Sequence, residues 1–117
     1  MPVRVLLVDD DEAFRRSAAR ILAERGYDVV GQASTIAEAR AAVVRLRPDA
    51  LLLDVNLPDG NGVALATELT RDGGSLRVLL TSTDASAVTA RLLARCRADG
   101  FVAKPDLMAV DLRCHLG

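Results

Sequence analysis

The sequence predicts a doubly wound α/β sandwich, with five parallel strands in one sheet and helices on both faces. Three observations point there. Short apolar runs rich in Val and Leu recur along all 117 residues. Each is followed by a segment whose apolar residues repeat at helical spacing, and each run stops at a polar or Gly/Pro-rich cluster. Strands that alternate with helices pair in parallel through right-handed crossovers, which fixes the class.

The elements follow in order. Val3 to Val8 is a buried first strand that ends in Asp9-Asp10-Asp11. Phe14, Ala18, Ile21 and Leu22 then line one face of helix one, with Asp11 as N-cap and Gly26 as the stop. Arg15, Arg16, Arg20 and Glu24 fall largely on its other face. Tyr27 to Ala33 is a less hydrophobic second strand, suited to a sheet edge. Thr35 and Glu38 form a capping-box pattern ahead of Ile36, Ala39, Ala42, Val43 and Leu46, so helix two begins there and Pro48 bars its continuation. Leu51-Leu52-Leu53 reads as a strand buried on both faces, closed by Asp54 and the turn-forming run Leu57-Pro58-Asp59-Gly60-Asn61-Gly62. Val63 to Leu69 gives helix three, ended by Gly73-Gly74. Leu76 to Leu80 is the fourth strand, finishing in Thr81-Ser82-Thr83-Asp84. Ser86 to Arg97 supplies helix four, with Val88, Leu92 and Leu93 inward. Phe101-Val102-Ala103 is a short fifth strand before Lys104-Pro105, and Leu107 to Leu116 forms helix five.

Composition narrows the function. Half the residues are apolar and 26% are charged, which is the balance of a folded single domain and not of a disordered chain. A net charge of -1 gives no electrostatic case for nucleic acid or an acidic membrane as the main partner. Cys96 and Cys114 have no metal-type spacing and read as reduced thiols. With no signal peptide and no apolar segment of membrane-spanning length, the expected location is the cytoplasm. His115 ends the last helix, where a cation is favoured, and needs no catalytic role. Arg91, Arg95 and Arg97 read as a solvated helix face, with a partner patch on helix four as the alternative.

Five strands in this length favour the flavodoxin-like order 2-1-3-4-5. Strands one and three are then neighbours, so Asp9, Asp10 and Asp54 converge at one sheet edge with the end of strand four and Lys104. Carboxylates within about 5 Å repel by roughly 3 kcal/mol per pair at an effective dielectric near 20. A hard divalent cation compensates, and Mg²⁺ suits a few carboxylate and carbonyl oxygens while keeping several waters; the alternative is one acid kept protonated, which would waste the nearby Lys104.

Val8-Asp9-Asp10, Asp54 followed by Leu57-Pro58 and Gly62, the hydroxyl-bearing end of strand four, and Phe101-Val102-Ala103-Lys104-Pro105 together resemble the receiver domain of two-component response regulators. The likeness covers nearly the whole chain as one domain. It implies that Asp54 accepts a phosphoryl group from a histidine kinase, a phosphotransfer protein or a small phosphodonor. It also implies that Asp9, Asp10, Asp54 and the backbone carbonyl of Asn56 hold Mg²⁺, while Lys104 contacts the phosphoryl oxygens. Ser82 stands at the family's usual distance from both Asp54 and Lys104 and is the matching switch hydroxyl. Thr81, one position off on both sides, is the alternative. By the same resemblance Phe101 is the switch aromatic, Asp84 tunes phosphate lifetime, and a cis bond precedes Pro105. The output is a changed surface on helix four, strand five and helix five, which meets a second copy or an output domain and no nucleic acid directly. Two other readings use the same residues. One is a phosphorylation-independent interaction module on this fold. The other is a Mg²⁺-dependent phosphohydrolase with an Asp nucleophile, which would want an acid where Asn56 stands.

Overall fold

Each apolar run finds its partner strands in the computed structural model, which describes residues 2–71, 74–83 and 100–107. In chain order the elements are β1 (Arg4–Val8), α1 (Glu12–Glu24), β2 (Asp28–Ala33), α2 (Ile36–Leu46), β3 (Ala50–Asp54), β4 (Asn56–Leu57), β5 (Gly60–Asn61), α3 (Gly62–Thr70), β6 (Arg77–Ser82) and β7 (Gly100–Ala103). A short 3₁₀ turn at Lys104–Asp106 follows. The main sheet has the order β2-β1-β3-β6-β7 with every pairing parallel. Setting aside β4 and β5, which pair only with each other, this is the predicted 2-1-3-4-5 arrangement.

Strand alternation divides the core in two. Leu6, Val8, Leu51, Leu53, Val78 and Leu80 face one side, where Ile36, Ala39 and Ala42 of α2 and Leu65 and Ala66 of α3 cover them. Val5, Leu7, Ala50, Leu52, Leu79 and Val102 face the other, against Ala18 and Leu22 of α1, Tyr27 and Leu107. A sheet covered on both faces needs apolar residues at consecutive positions, which is why β3 is a run of leucines. As its composition implied, β2 lies at the edge and is only half-buried.

Helix ends follow the sequence closely. Asp11 accepts hydrogen bonds from the backbone N–H groups of Ala13 and Phe14, and Gly26, at φ +88°, follows the end of α1. Thr35 Oγ1 accepts from the Glu38 N–H, as the capping box requires. The reciprocal half differs: the Glu38 carboxylate takes the N–H and hydroxyl of Ser34, one residue before the cap. The first free N–H groups of α2 are instead met from far along the chain. Asp59 accepts from Ile36 N at 2.8 Å and from Ala37 N at 3.1 Å.

Two expectations need adjustment. The turn-forming run after Asp54 is a small antiparallel hairpin, β4–β5, and not plain loop. No cis peptide bond occurs among the described residues, so the Lys104–Pro105 bond is trans, the isomer such bonds favour by about 0.5–1 kcal/mol. Arg15, placed largely on the outer face of helix one, also donates to the backbone oxygen of Asp9 and to Gln32. Helix four, helix five beyond Leu107, Asp84, His115, both cysteines and the Arg91–Arg97 face lie outside the described residues. Among the described residues no helix is long and apolar enough to cross a membrane.

Candidate functional site

Parallel strands present all their C-terminal ends at one edge, and the polar residues of this chain gather there. Asp9 follows β1, Asp54 ends β3, Thr81 and Ser82 end β6, and Lys104 follows β7. Asp9 and Asp54 are 2% and 5% exposed, whereas Asp10 is open to solvent. One carboxylate oxygen from each of these three acids lies within 4.8 Å of the others.

A single cation accounts for part of this charge. Lys104 Nζ stands 2.7 Å from Asp9 Oδ2 and 3.4 Å from Asp54 Oδ2. The shorter approach is an ion pair, and Asp9 Oδ2 is a buried oxygen that makes no other polar contact among the described residues. The other oxygens are committed to the backbone: Asp9 Oδ1 accepts from Asp11 N, and Asp54 Oδ1 accepts from Asn56 N. Burial pushes the Asp54 carboxyl above its ordinary range, and the nearby Asp9 charge adds to this, against the Asn56 N–H and Lys104. For Lys104 burial works against the charge. The contact and charge of Asp9, joined by Asp54, outweigh it and hold the ammonium above its usual value.

The residues fit a small hard cation. Oxygens on opposite sides of an octahedral Mg²⁺ stand about 4 Å apart, so a side-chain adjustment of about 1 Å, available to the exposed Asp10, closes the set. The buried Asp9 oxygen without a hydrogen bond is the donor such an ion would use. Asn56, the expected carbonyl donor, is exposed at the start of β4 and already touches Asp54 through its N–H.

The structure separates the two candidate hydroxyls by face. Thr81 is in register with Asp54 and shares the parity of Leu79, on the α1 side. Ser82, in register with Ala103, shares the parity of Val78 and Leu80. Phe101 packs against the α2–α3 core.

Two features were not visible in the sequence pattern. Phe14 looked like an ordinary core position, yet its ring lies 4.6 Å from Lys104 Nζ, a cation–π contact. Gly62 lets the chain turn back onto the site: a Cβ there would stand 2.0 Å from the Asp54 carbonyl oxygen. One sequence signal marks the lysine. The chain has 15 basic residues, and Lys104 is the only one that is not arginine.

The Asp59 cap yields a stability prediction. Its carboxyl is held below the ordinary range, first by the Ile36 N–H. A depressed value means the contribution is present above the unfolded-state value and lost as pH falls through the folded one. Asp59→Ala is expected to lower the thermal midpoint by a few degrees at pH 7, with the gap from wild type closing below about pH 3. Calorimetry at both pH values checks this; a gap that persists in acid would assign the loss to something other than the charged cap.

Comparison with known proteins agrees with this geometry. A family model described as the response regulator receiver domain matches residues 5–112. The DNA-binding transcriptional activator DevR/DosR of Mycobacterium tuberculosis is 45% identical over 113 residues, covering 94% of this chain and 51% of the activator. Response regulator MprA of Mycobacterium sp. (strain KMS) is 39% identical over 107 residues, covering 90% of this chain and 45% of the regulator. The chain therefore spans about half the length of these curated relatives. A CheY-like response regulator receiver domain protein from Methanospirillum hungatei JF-1 has a TM-score of 0.79 at 28% identity, covering 97% of this chain and 86% of that one. With strand order, acidic edge and family match in agreement, this chain belongs to the response regulator receiver domains of two-component systems.

Proposed function

We propose that this receiver accepts a phosphoryl group on Asp54 in a Mg²⁺-dependent reaction and passes the change to a partner surface. The observation that carries this is the meeting of three carboxylates within 4.8 Å with the chain's only lysine, at the ends of separate strands. Phosphoryl transfer is catalysed mostly by positioning and by cations that spread charge over the equatorial oxygens. Asp54 is the nucleophile: one carboxylate oxygen bonds to phosphorus as the donor's P–N or P–O bond breaks, and the leaving atom keeps that electron pair. Burial raises the Asp54 carboxyl value, while Lys104 and the Asn56 N–H favour the charged form that attacks. Asp9, Asp10, Asp54 and the Asn56 carbonyl would hold Mg²⁺, which when bound supplies charge neutralisation at the transferring group. Lys104 engages a phosphoryl oxygen, and Ser82 offers its hydroxyl from the end of β6.

The donor on this reading is a histidine kinase or a phosphotransfer protein, in the cytoplasm. Phe101 and the segments on either side of β7 carry the response to a second copy or an output domain, with Asp84 tuning phosphate lifetime.

Beryllofluoride tests the reading. With Mg²⁺ it is expected to form an adduct at Asp54, seen as shifts of the amide signals of Asp54, Asn56, Ser82 and Lys104. Mg²⁺ alone, at a hundredfold excess over its Kd, should raise unfolding stability by about 2.7 kcal/mol over the protein in EDTA. Failure of both would leave a domain that works without phosphorylation.

A further inference from the structure

We propose that Thr81 is a positioning residue that holds Lys104 once Asp9 is engaged by a cation, an inference that rests on the phosphoryl-acceptor reading above. Thr81 is fully buried, and its Oγ1 has no hydrogen-bond partner. A buried hydroxyl left unmatched costs stability, and valine would fill the same space without that cost. Among the described residues only one other buried side-chain oxygen lacks a hydrogen bond, Asp9 Oδ2, which is the oxygen Lys104 approaches.

Register puts this hydroxyl on the lysine's path. In the sheet β6 lies between β3 and β7. Thr81 is level with Asp54 on one side and with Val102, two residues before Lys104, on the other. Leu52, Leu79 and Val102 belong to one core face, so by alternation Asp54 and Thr81 continue it past the apolar layer, and Lys104 opens the turn that follows β7. To reach from the end of β7 to Asp54 and Asp9, Lys104 must cross the end of β6, where Thr81 stands.

The ammonium has three donors and, among the described residues, three neighbours: Asp9 Oδ2, Asp54 Oδ2 and the face of Phe14. A cation on Asp9 and an ammonium 2.7 Å from the same carboxylate repel each other. Lys104 then gives up Asp9 and swings toward Asp54, and its freed donor needs an acceptor in a nearly water-free place. Thr81 Oγ1 has the lone pairs, the burial and the register to be that acceptor. Ser82, on the opposite parity, keeps the switch-hydroxyl role that the family spacing gives it under the proposed function.

The test uses the chain labelled with ¹⁵N-lysine, in which every lysine signal belongs to Lys104. In wild type the ammonium signal is expected to stay protected from water exchange when Mg²⁺ is added. In Thr81→Val its exchange with Mg²⁺ present should rise about tenfold, and phosphorylation by acetyl phosphate should slow about tenfold, the scale of one hydrogen bond to a charged group. Thr81→Ser should restore both to within about twofold, since it keeps the hydroxyl. Thr81→Val should melt no lower than wild type, which sets this role apart from a structural one. The inference is overturned if Thr81→Val matches wild type in both ammonium exchange and phosphorylation, or if wild type itself loses ammonium protection on adding Mg²⁺. If ammonium exchange behaves as expected but acetyl phosphate never labels Asp54, the positioning role stands and the phosphoryl-acceptor reading falls.

Discussion

Asp54→Asn is expected to reduce phosphoryl incorporation from acetyl phosphate by about a thousandfold or more, because the amide removes the nucleophilic oxygen while the surrounding groups stay in place. The fold should survive. An Asn side chain has the same shape, its oxygen can still accept from Asn56 N, and Lys104 keeps Asp9. Stability should even rise. Burial raises the Asp54 carboxyl value, so the folded state binds that proton more tightly than the unfolded chain. For such a group stability is greatest below the unfolded value and is lost as pH climbs through the folded one. Asn escapes that loss, so the variant should melt a few degrees higher than wild type near pH 7, and the advantage should shrink as the buffer is acidified. Incorporation that survives the substitution would move the acceptor to another residue.

Gly62→Ala should be strongly damaging. Its Cβ would stand 2.0 Å from the carbonyl oxygen of Asp54, 2.9 Å from the carbonyl carbon and 3.1 Å from Val55 Cα. All three are backbone atoms at the end of a strand buried on both faces, so no flexible side chain can yield. The Gly62 N–H also donates to the Val55 oxygen at 2.6 Å, and moving the chain away breaks that bond. The expected cost is about 3 kcal/mol, the upper end of the ordinary overpacking range, read from the urea midpoint. Displacing Asp54 should slow phosphorylation in the same variant. A loss below about 0.5 kcal/mol would mean that the strand end is softer than its packing implies.

The fold was legible because each level of the sequence repeats the same instruction. Leu51-Leu52-Leu53 requires cover on both faces, Asp11 and Thr35 cap the helices they precede, and the modest polarity of β2 suits the edge it occupies. What escaped depends on residues distant in sequence. Nothing local links Asp59 to the start of α2, and the two-residue strands β4 and β5 are too short for any periodicity. Of the candidate site, the acids and the lysine could be placed because each ends its own strand. Their pairing could not: that Lys104 lies nearer Asp9 than Asp54, and over the ring of Phe14, depends on side-chain reach across three strands. Strand parity puts Thr81 and Ser82 on opposite faces, and the choice between them as switch hydroxyl rests on spacing.

The segment from Asp54 to Gly62 is tied down along its length. Asn56 bonds back to Asp54, Asp59 grips the first turn of α2, Asn61 accepts from Val63 N, and Gly62 closes on Val55. Its conformational freedom is therefore lost during folding and not at the moment of encounter. On the function proposed above, a phosphodonor docking beside Asp54 would meet a surface already in shape, so little ordering entropy would oppose association and the encounter would approach that of two rigid bodies. Recognition at this edge then depends on which side chains the hairpin displays, and those can change without altering how fast the acceptor is reached.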